Sequence, residues 1–470
     1  MKWLIALLFA LLVIAGCSAI PVGHPKNEIH ITDIPPWYNP LVLEVEPGTK
    51  VVWDNGMAAV VHPVNILSGP EKFSSGHFIQ KFEHTFDKPG VYHYFCPIHP
   101  YMQGFVSVGE KVPAEKLPLW FDWPPATAEQ PVPGPMPEVP GIGEVWLDAQ
   151  FQKIIGKPKP GAIIVVDAET WQVKQTITDS RLNNPHNMWL SDDGNYVMQT
   201  NWFDNYLSII DRNNKSITKH VYVGESNAHV MTANGFAYVT IQGADGIAII
   251  NGTTFAKKRT FRTIGGEHGH GENEDGEREL GRGPHGNWIS DDGKRMAVAY
   301  TEGGGIGVWD LVDTKEIFEA ETDPLPLFAG ISKDGRYAWA ASLITGKFQA
   351  FDIDAGKEIA SFVAGKGPVQ NVPSPDGKYI LTALSGDGAV AVIDAQKFEL
   401  IKSLPSGAGA HGVIYGPKKN GGTYAYVSNK FVPWITVIDM ASLEIAGYIP
   451  LSKESLGGQG ILAIPGVMQG

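Results

Sequence analysis

Cysteine is nearly absent from this chain: two are found in 470 residues, Cys17 and Cys96. Given separate roles, they leave none for a disulfide framework, and no Cys-x-x-Cys-His run is present to attach a c-type haem. Positive charge is also short. Lys and Arg number 37 against 50 Asp and Glu, a formal net charge of -13, which argues against nucleic acid and suits a basic protein partner. The apolar run at the N-terminus, Trp3 to Ala15 behind Lys2, is too short to span a bilayer. Long helices are disfavoured by 54 Gly and 34 Pro. With 43% hydrophobic and 19% charged residues the chain reads as globular, and its length allows about two to four domains.

The apolar run closes on Ile14-Ala15-Gly16-Cys17. Small residues directly before a Cys resemble a bacterial lipobox. That resemblance implies a signal peptide over 1–17 and lipid on Cys17. It implies an exported lipoprotein, periplasmic or on the cell surface, held to the membrane by its lipid alone. Ser18 after the Cys resembles lipoproteins sorted to an outer membrane; ordinary signal cleavage nearby is the alternative. Residues 18–27 read as a tether. A second punctuation lies at 110–140, where Pro113, Pro118, Pro124, Pro125, Pro131, Pro133, Pro135, Pro137 and Pro140 exclude a helix or central strand and favour a semi-rigid connector. Trp120, Phe121 and Trp123 suit part of it to packing on a domain. The connector separates 28–109 from 141–470.

In the first of these segments, Cys96-Pro97-Ile98-His99-Pro100-Tyr101-Met102 places a thiolate, an imidazole and a thioether within seven residues. Two nitrogens and a thiolate in a plane with a long axial Met form the blue-copper arrangement. The missing imidazole is expected from an earlier strand region, and His62 is there. Cys-x2-His-x2-Met after the aromatic strand 90–95, with an upstream His, resembles the cupredoxins, most closely the amicyanin and plastocyanin types. The resemblance covers about 28–109 and implies a β-sandwich with a type 1 copper held by His62, Cys96, His99 and Met102. A buried structural Cys beside unrelated His and Met is the competing reading. His30, His77, His84 and His93 match no motif position and are expected to be ordinary histidines.

From 141 onward the sequence repeats. Strand-like runs end at Asp167, Asp211, Asn251, Asp310, Asp352, Asp394 and Asp439, and most are preceded by Ser-x-Asp-Gly turns at 191–194, 290–293, 332–335 and 374–377. Asp-Gly is hairpin-turn chemistry. A period of about 40–45 residues carrying four short strands is a propeller blade, so the fold class is all-β, a cupredoxin β-sandwich followed by a seven-bladed β-propeller. The signature resembles YVTN-type propellers, which include cytochrome d1-like domains. The repeat phase leaves the first copy without an inner strand, so the C-terminal strand 460–464 is expected to complete the first blade.

Aligned repeats put His at the start of the innermost strand four times: His186, His229, His285 and His411. Gln459 and the neighbourhoods of Leu327 and Val369 hold the equivalent positions elsewhere, giving an arc of His411, Gln459, His186, His229 and His285 around the channel mouth. Imidazole is the commonest metal ligand near neutral pH, so the arc is expected to hold a metal or a haem-type cofactor, with Asn187, Asn227, Asn287 and Gln459 orienting the rings. His220 falls on an outer strand and is excluded. The long gap between Asn251 and Asp310 carries His268 and His270 in the acidic insertion 265–277, either a loop beside the site or a plain solvated one.

Channel histidines in a propeller joined to a cupredoxin resemble nitrous-oxide reductases distantly; d1-type nitrite reductases carry haem in a similar channel. Here the cupredoxin comes first, it has one Cys rather than the two of a binuclear copper centre, and four histidines stand in register. The sequence supports a copper-dependent oxidoreductase acting on a nitrogen oxide or another small molecule, reduced by a cytochrome or another cupredoxin. A blue-copper electron carrier with the propeller as docking platform, and a copper-handling protein, are the alternatives.

Overall fold

The computed structural model describes residues 26–31, 37–56, 62–75, 80–96, 102–112, 136–149, 161–202, 204–263, 281–451 and 457–467. Cys17, His77, His99, His268 and His270 lie outside the described residues, as do the acidic insertion and most of the Pro-rich connector. Among the described residues the regular structure is strand, apart from one short 3-10 turn at Gln242–Ala244.

The first part holds two four-stranded sheets. One runs in the order Tyr38–Asn39, Glu28–Ile31, Thr49–Asp54, Lys81–Phe86, and the other Val42–Val45, Gln103–Val108, Gly90–Phe95, Asn65–Ser68. Lys81–Phe86 alternates exposed Lys81, Glu83 and Thr85 with more buried Phe82, His84 and Phe86, the period of a strand with one wet face. Between the sheets Trp53 meets Tyr94 edge-on at 5.3 Å and Phe86 lies 6.1 Å from Trp53. Tyr94 crosses directly over Gly104, where any side chain would collide with its ring.

From Glu144 the chain forms the four-stranded antiparallel units of a β-propeller, spanning 185–222, 227–262, 284–321, 326–363, 368–405 and 410–450 in turn, the third and fourth joined by one parallel bridge between Gly286 and Phe328. A further sheet joins Glu144–Ala149, Ala162–Asp167 and Val173–Thr178 to the distant strand Ile461–Ile464, with Ile461 opposite Leu147 and Ile464 opposite Glu144. The sequence signatures have local causes. Asp167, Asp211, Asn251, Asp310 and Asp394 each accept the backbone N–H groups two and three residues on through Oδ1, closing the turn to the outer strand. In the Ser-x-Asp-Gly turns the Ser hydroxyl donates to the Asp carboxylate, and Gly194, Gly293, Gly335 and Gly377 have φ of 68 to 72°. Burial grades outward: Pro185–Leu190 and Pro284–Ile289 are buried throughout, whereas outer Lys315–Glu321 alternates.

Two features of the inner strands set up the site. Pairing with the second strand slips between Pro185 and Met188, Asn227 and Val230, Pro284 and Asn287, and Ala410 and Val413. Each slip brackets a register histidine, and such a bulge re-aims the side chain it carries. Gly286 and Gly412 follow His285 and His411 because the neighbouring inner strand comes too close for a Cβ, which would strike the Leu327 carbonyl in one case and the Gln459 carbonyl in the other.

The sandwich sits on the propeller. Its buried core is continuous with propeller residues Trp202 and Ala228. Beside them, Phe95 and Leu67 of the sandwich pack with Leu325, Leu327, Leu343 and Val369. The first domain therefore meets the channel mouth both at this apolar patch and beside the histidines, through Trp202 and Ala228.

Candidate metal sites

Cys96 directly follows Gly90–Phe95 and Met102 directly precedes Gln103–Val108. The Cys96 N–H donates to the Met102 carbonyl at 3.0 Å, tying the two ends of the loop between adjacent strands. Both side chains are buried, and so is His62. Asn55 holds His62 from both sides: its Oδ1 accepts the His62 N–H at 3.1 Å and its Nδ2 donates to the His62 carbonyl at 3.2 Å. The His62 Nδ1 then stands 3.8 Å from the Cys96 Sγ. With metal–sulfur and metal–nitrogen bonds of about 2.3 and 2.0 Å, that separation corresponds to a ligand angle of roughly 120°, as in a trigonal plane. His62, Cys96 and Met102 are thus brought to one buried locus; His99 lies outside the described residues.

The other described histidines of this domain, His30, His84 and His93, have other partners. His93 stacks on Phe105 at 4.3 Å and its Nε2 pairs with Gln103 Oε1 at 2.7 Å; burial pushes its pKa down to about 4. His84 stacks on Phe73 at 4.6 Å. His30 lies near Glu28 and Asp54, but Lys81 Nζ already sits 3.4 and 3.2 Å from those carboxylates.

In the propeller, His186, His229 and His285 converge with one ring nitrogen each inside 4.8 Å of the others, all three buried. The His411 ring centroid is 6.0 Å from that of His186. Tautomers follow from the outer partners. The Leu327 carbonyl, 2.7 Å from His285 Nδ1, can only accept, so that nitrogen carries the proton. Gln459 Nε2 donates to Asn184 Oδ1 at 3.3 Å, which turns its Oε1 toward His186 Nδ1 at 3.2 Å, and that nitrogen is protonated too. Both Nε2 atoms are then lone-pair bearers, and they face each other at 3.1 Å. Two lone pairs at that distance repel unless a cation lies beside both. For metal–nitrogen bonds of about 2.05 Å, the separation corresponds to an angle near 100°. Burial, reinforced by the neighbouring imidazoles, holds His186 and His229 well below the ordinary imidazole range, and burial sets His285 at about 4. All are neutral near pH 7, the form that ligates.

Of the four expected orienting residues, Gln459 is the one that meets a ring. Asn187 instead accepts the Val230 N–H at 3.0 Å, Asn227 donates to the Asn201 and Asp204 carbonyls, and Asn287 donates to Met296 Sδ. Asn187 is next to His186 and points to the other face of its strand. Asn227 and Asn287 are two residues from their histidines, and the register slips at Asn227–Val230 and Pro284–Asn287 break the alternation that would otherwise put them on the same face. His220 pairs with Ser208 Oγ at 3.2 Å on the outer strand Ser216–Tyr222, far from the cluster in the blade.

Sequence reasoning missed a second ring. The residue immediately after the second strand of successive blades also reaches the channel: Trp202, Leu343, Ser385 and Lys430 line the same cavity as His186, His285, His411 and Gln459. Extending the repeat alignment by one strand would have found it. Trp202 stacks on His186 at 4.3 Å and 26°, its Nε1 donating to Gln242 Oε1 at 3.0 Å. Lys430 is buried with Nζ 3.5 Å from Gln459 Oε1, and burial holds its ammonium well below the usual range. Behind it, burial pushes Asp148 up to about 7 although Gly460 N–H and Gln199 Nε2 donate to it. The cavity that these described residues line is about 30 Å³, room for roughly two waters.

No family model matches this chain. Among curated proteins it is similar to amicyanin-alpha of Methylorubrum extorquens, 37% identical over 71 residues, 14% of this chain and 59% of that protein. The chain thus spans less than two thirds of the length of the relative it matches. Among solved structures it is similar to a functionally unknown protein from Desulfotomaculum acetoxidans (TM-score 0.52, 14% identity, 68% of this chain and 98% of that one). It is also similar to a candidate 6-phosphogluconolactonase from Bacteroides fragilis (TM-score 0.50, 17% identity, 68% and 97%). At these identities the structural neighbours speak to fold alone. Together with the sheets described above, they make the chain an all-β protein: a cupredoxin-like N-terminal part followed by a β-propeller.

Proposed function

We propose that this chain is a two-centre, copper-dependent oxidoreductase: a type 1 copper on His62, Cys96, His99 and Met102, and a second metal on His186, His229 and His285 with His411 beside them, in a propeller of seven blades. The observation that carries the second centre is the 3.1 Å approach of the Nε2 atoms of His186 and His285 with both Nδ1 atoms engaged by outer partners, an arrangement that leaves a lone pair on each Nε2. Imidazole donors suit copper, zinc, iron or nickel, and a space of about 30 Å³ suits an ion with a small molecule rather than a macrocycle such as haem. When bound, the two metals supply a one-electron donor and an electron-accepting centre. The chain itself excludes bulk water with Leu327, Leu343 and Val369 and lines the same cavity with the Lys430 amino group. That lining suits a small oxygen-containing oxidant such as a nitrogen oxide or dioxygen. Similarity to amicyanin over the first domain supports a soluble redox protein as the electron source, a cytochrome or another cupredoxin. The lipobox reading adds an exported location with Cys17 as the anchor.

The docked sandwich also favours a second reading, an electron carrier that uses the propeller as a platform, since the apolar mouth of the channel is covered by Phe95 and Leu67. Metal analysis with an optical spectrum of the purified protein separates the two. The oxidoreductase reading expects a blue thiolate-to-copper band and a second metal per chain; blue copper alone favours the carrier, and a colourless protein with stoichiometric copper overturns both.

A further inference from the structure

Trp202 belongs to two neighbourhoods at once. It comes from the propeller, directly after Tyr196–Asn201, yet it lies in the contiguous buried core that contains Cys96 and Met102 of the sandwich. Its other face stacks on His186 at 4.3 Å, and its ring centroid lies 5.1 Å from that of His285. It is 2% exposed and pinned by Gln242, which in turn donates to Glu302 Oε1 at 3.3 Å. The other propeller residue in that core, Ala228, precedes His229 in sequence. The two propeller residues that belong to the sandwich core among the described residues each lead directly to a histidine of the cluster. A purely structural contact between two domains needs neither an aromatic ring nor a stack on a candidate ligand. Surrounding Leu325, Leu327, Leu343 and Val369 provide an apolar seal without one.

From this juxtaposition we propose that Trp202 is the bridge by which an electron crosses from the Cys96 site to the histidine cluster. The inference rests on the two-centre reading above. The step moves one electron and nothing else. Cuprous copper at Cys96 and Met102 becomes cupric, the oxidised metal at His186 and His285 gains the electron, and no bond breaks and no proton moves. A one-electron redox protein restores the first site. The indole is not itself oxidised. Its packed π-system replaces a gap, and tunnelling through packed, bonded matter decays more slowly with distance than through empty space or water. Trp202 is in this sense a positioning residue: it touches His186 and acts through it.

The test uses the full chain loaded with copper at both sites. A light-activated one-electron reductant bleaches the blue band, and its return is followed as the electron leaves for the second site. In the wild type the return is independent of protein concentration. Trp202→Leu slows it by at least about tenfold, one decade in rate, with both metals and the blue band retained. Trp202→Phe, which keeps a shorter ring in the stack, slows it less. Wild-type return in Trp202→Leu with both metals present overturns the bridge and leaves the two-centre reading standing. Should Trp202→Leu lose a metal, Trp202→Phe decides alone, and a wild-type rate there overturns the bridge. A wild type that binds one copper only overturns the two-centre reading and removes the bridge's acceptor with it.

Discussion

Gln459 is the most informative side chain to change, because it fixes which nitrogen of His186 is free. Gln459→Leu keeps the volume but removes the acceptor 3.2 Å from His186 Nδ1 and the oxygen 3.5 Å from Lys430 Nζ. Gln459 and His186 are buried, so bulk solvent does not reach the lost bonds. A buried donor left unpaired costs about 1–3 kcal/mol. The imidazole can avoid that cost by moving its proton to Nε2, which is the lone pair that faces His285 at 3.1 Å. Either outcome weakens the metal, by about 10–100-fold on the experience of outer partners of ligating histidines. The assay is competition for copper(II) against a coloured chelator, with the blue band reporting the first site in the same cuvette. The first site keeps its affinity, since the Gln459 side chain bonds to His186, Asn184 and Lys430 and not to Asn55, which holds His62. Gln459→Glu, which retains an acceptor, binds the second metal at least as well as wild type. Equal second-site affinity in wild type and Gln459→Leu refutes the tautomer argument.

At the copper site Cys96→Ser abolishes the blue colour in the optical spectrum, because a harder oxygen ligand replaces the thiolate; Met102→Leu keeps the copper and raises the potential measured by redox titration. Deleting residues 456–470 removes the strand that pairs with Glu144–Ala149 and lowers the unfolding temperature of the whole propeller by calorimetry; cooperative unfolding at the wild-type temperature contradicts this. His93 has a pKa of about 4 against an ordinary 6.5, so the unfolded chain binds its proton more readily. Its contribution is present above pH 6.5 and lost as the pH falls through 4; allowing for its partial exposure, the loss is about 2 kcal/mol. Urea denaturation across that window shows a shallower pH dependence in His93→Gln than in wild type; identical slopes contradict the assignment.

Much of this was legible because repeats make local chemistry visible. Asp167 and its counterparts recur because each closes the same side-chain-to-backbone turn, and Gly194 and its counterparts recur because that turn needs positive φ. The histidine register was legible for the same reason, since each His sits at the same slip of the inner strand. Direction was harder. Asn187 is next to His186, and alternation along the strand sends it the other way, while Asn227 and Asn287, two residues from their histidines, are turned aside by the register slip between them. Trp202 and Lys430 were missed because their blade position holds different residue types around the ring, so no recurring letter marked it. The seat of the sandwich on the channel mouth was not legible at all: Phe95 reads as a strand residue before a ligand, and only three-dimensional packing puts it against Leu327 and Val369.

The claim on which the account turns is that His186, His229 and His285, with His411 beside them, hold a metal of their own. The direct measurement is the number of metal ions per chain, by mass spectrometry of the intact protein, in wild type and in a variant carrying His186→Ala, His229→Ala, His285→Ala and His411→Ala, with the blue band recorded on both. The account predicts that the variant holds one metal fewer than wild type while the blue band is unchanged. A folded variant that retains every metal found in the wild type contradicts it, and leaves the arc as a repeated structural feature of the blades.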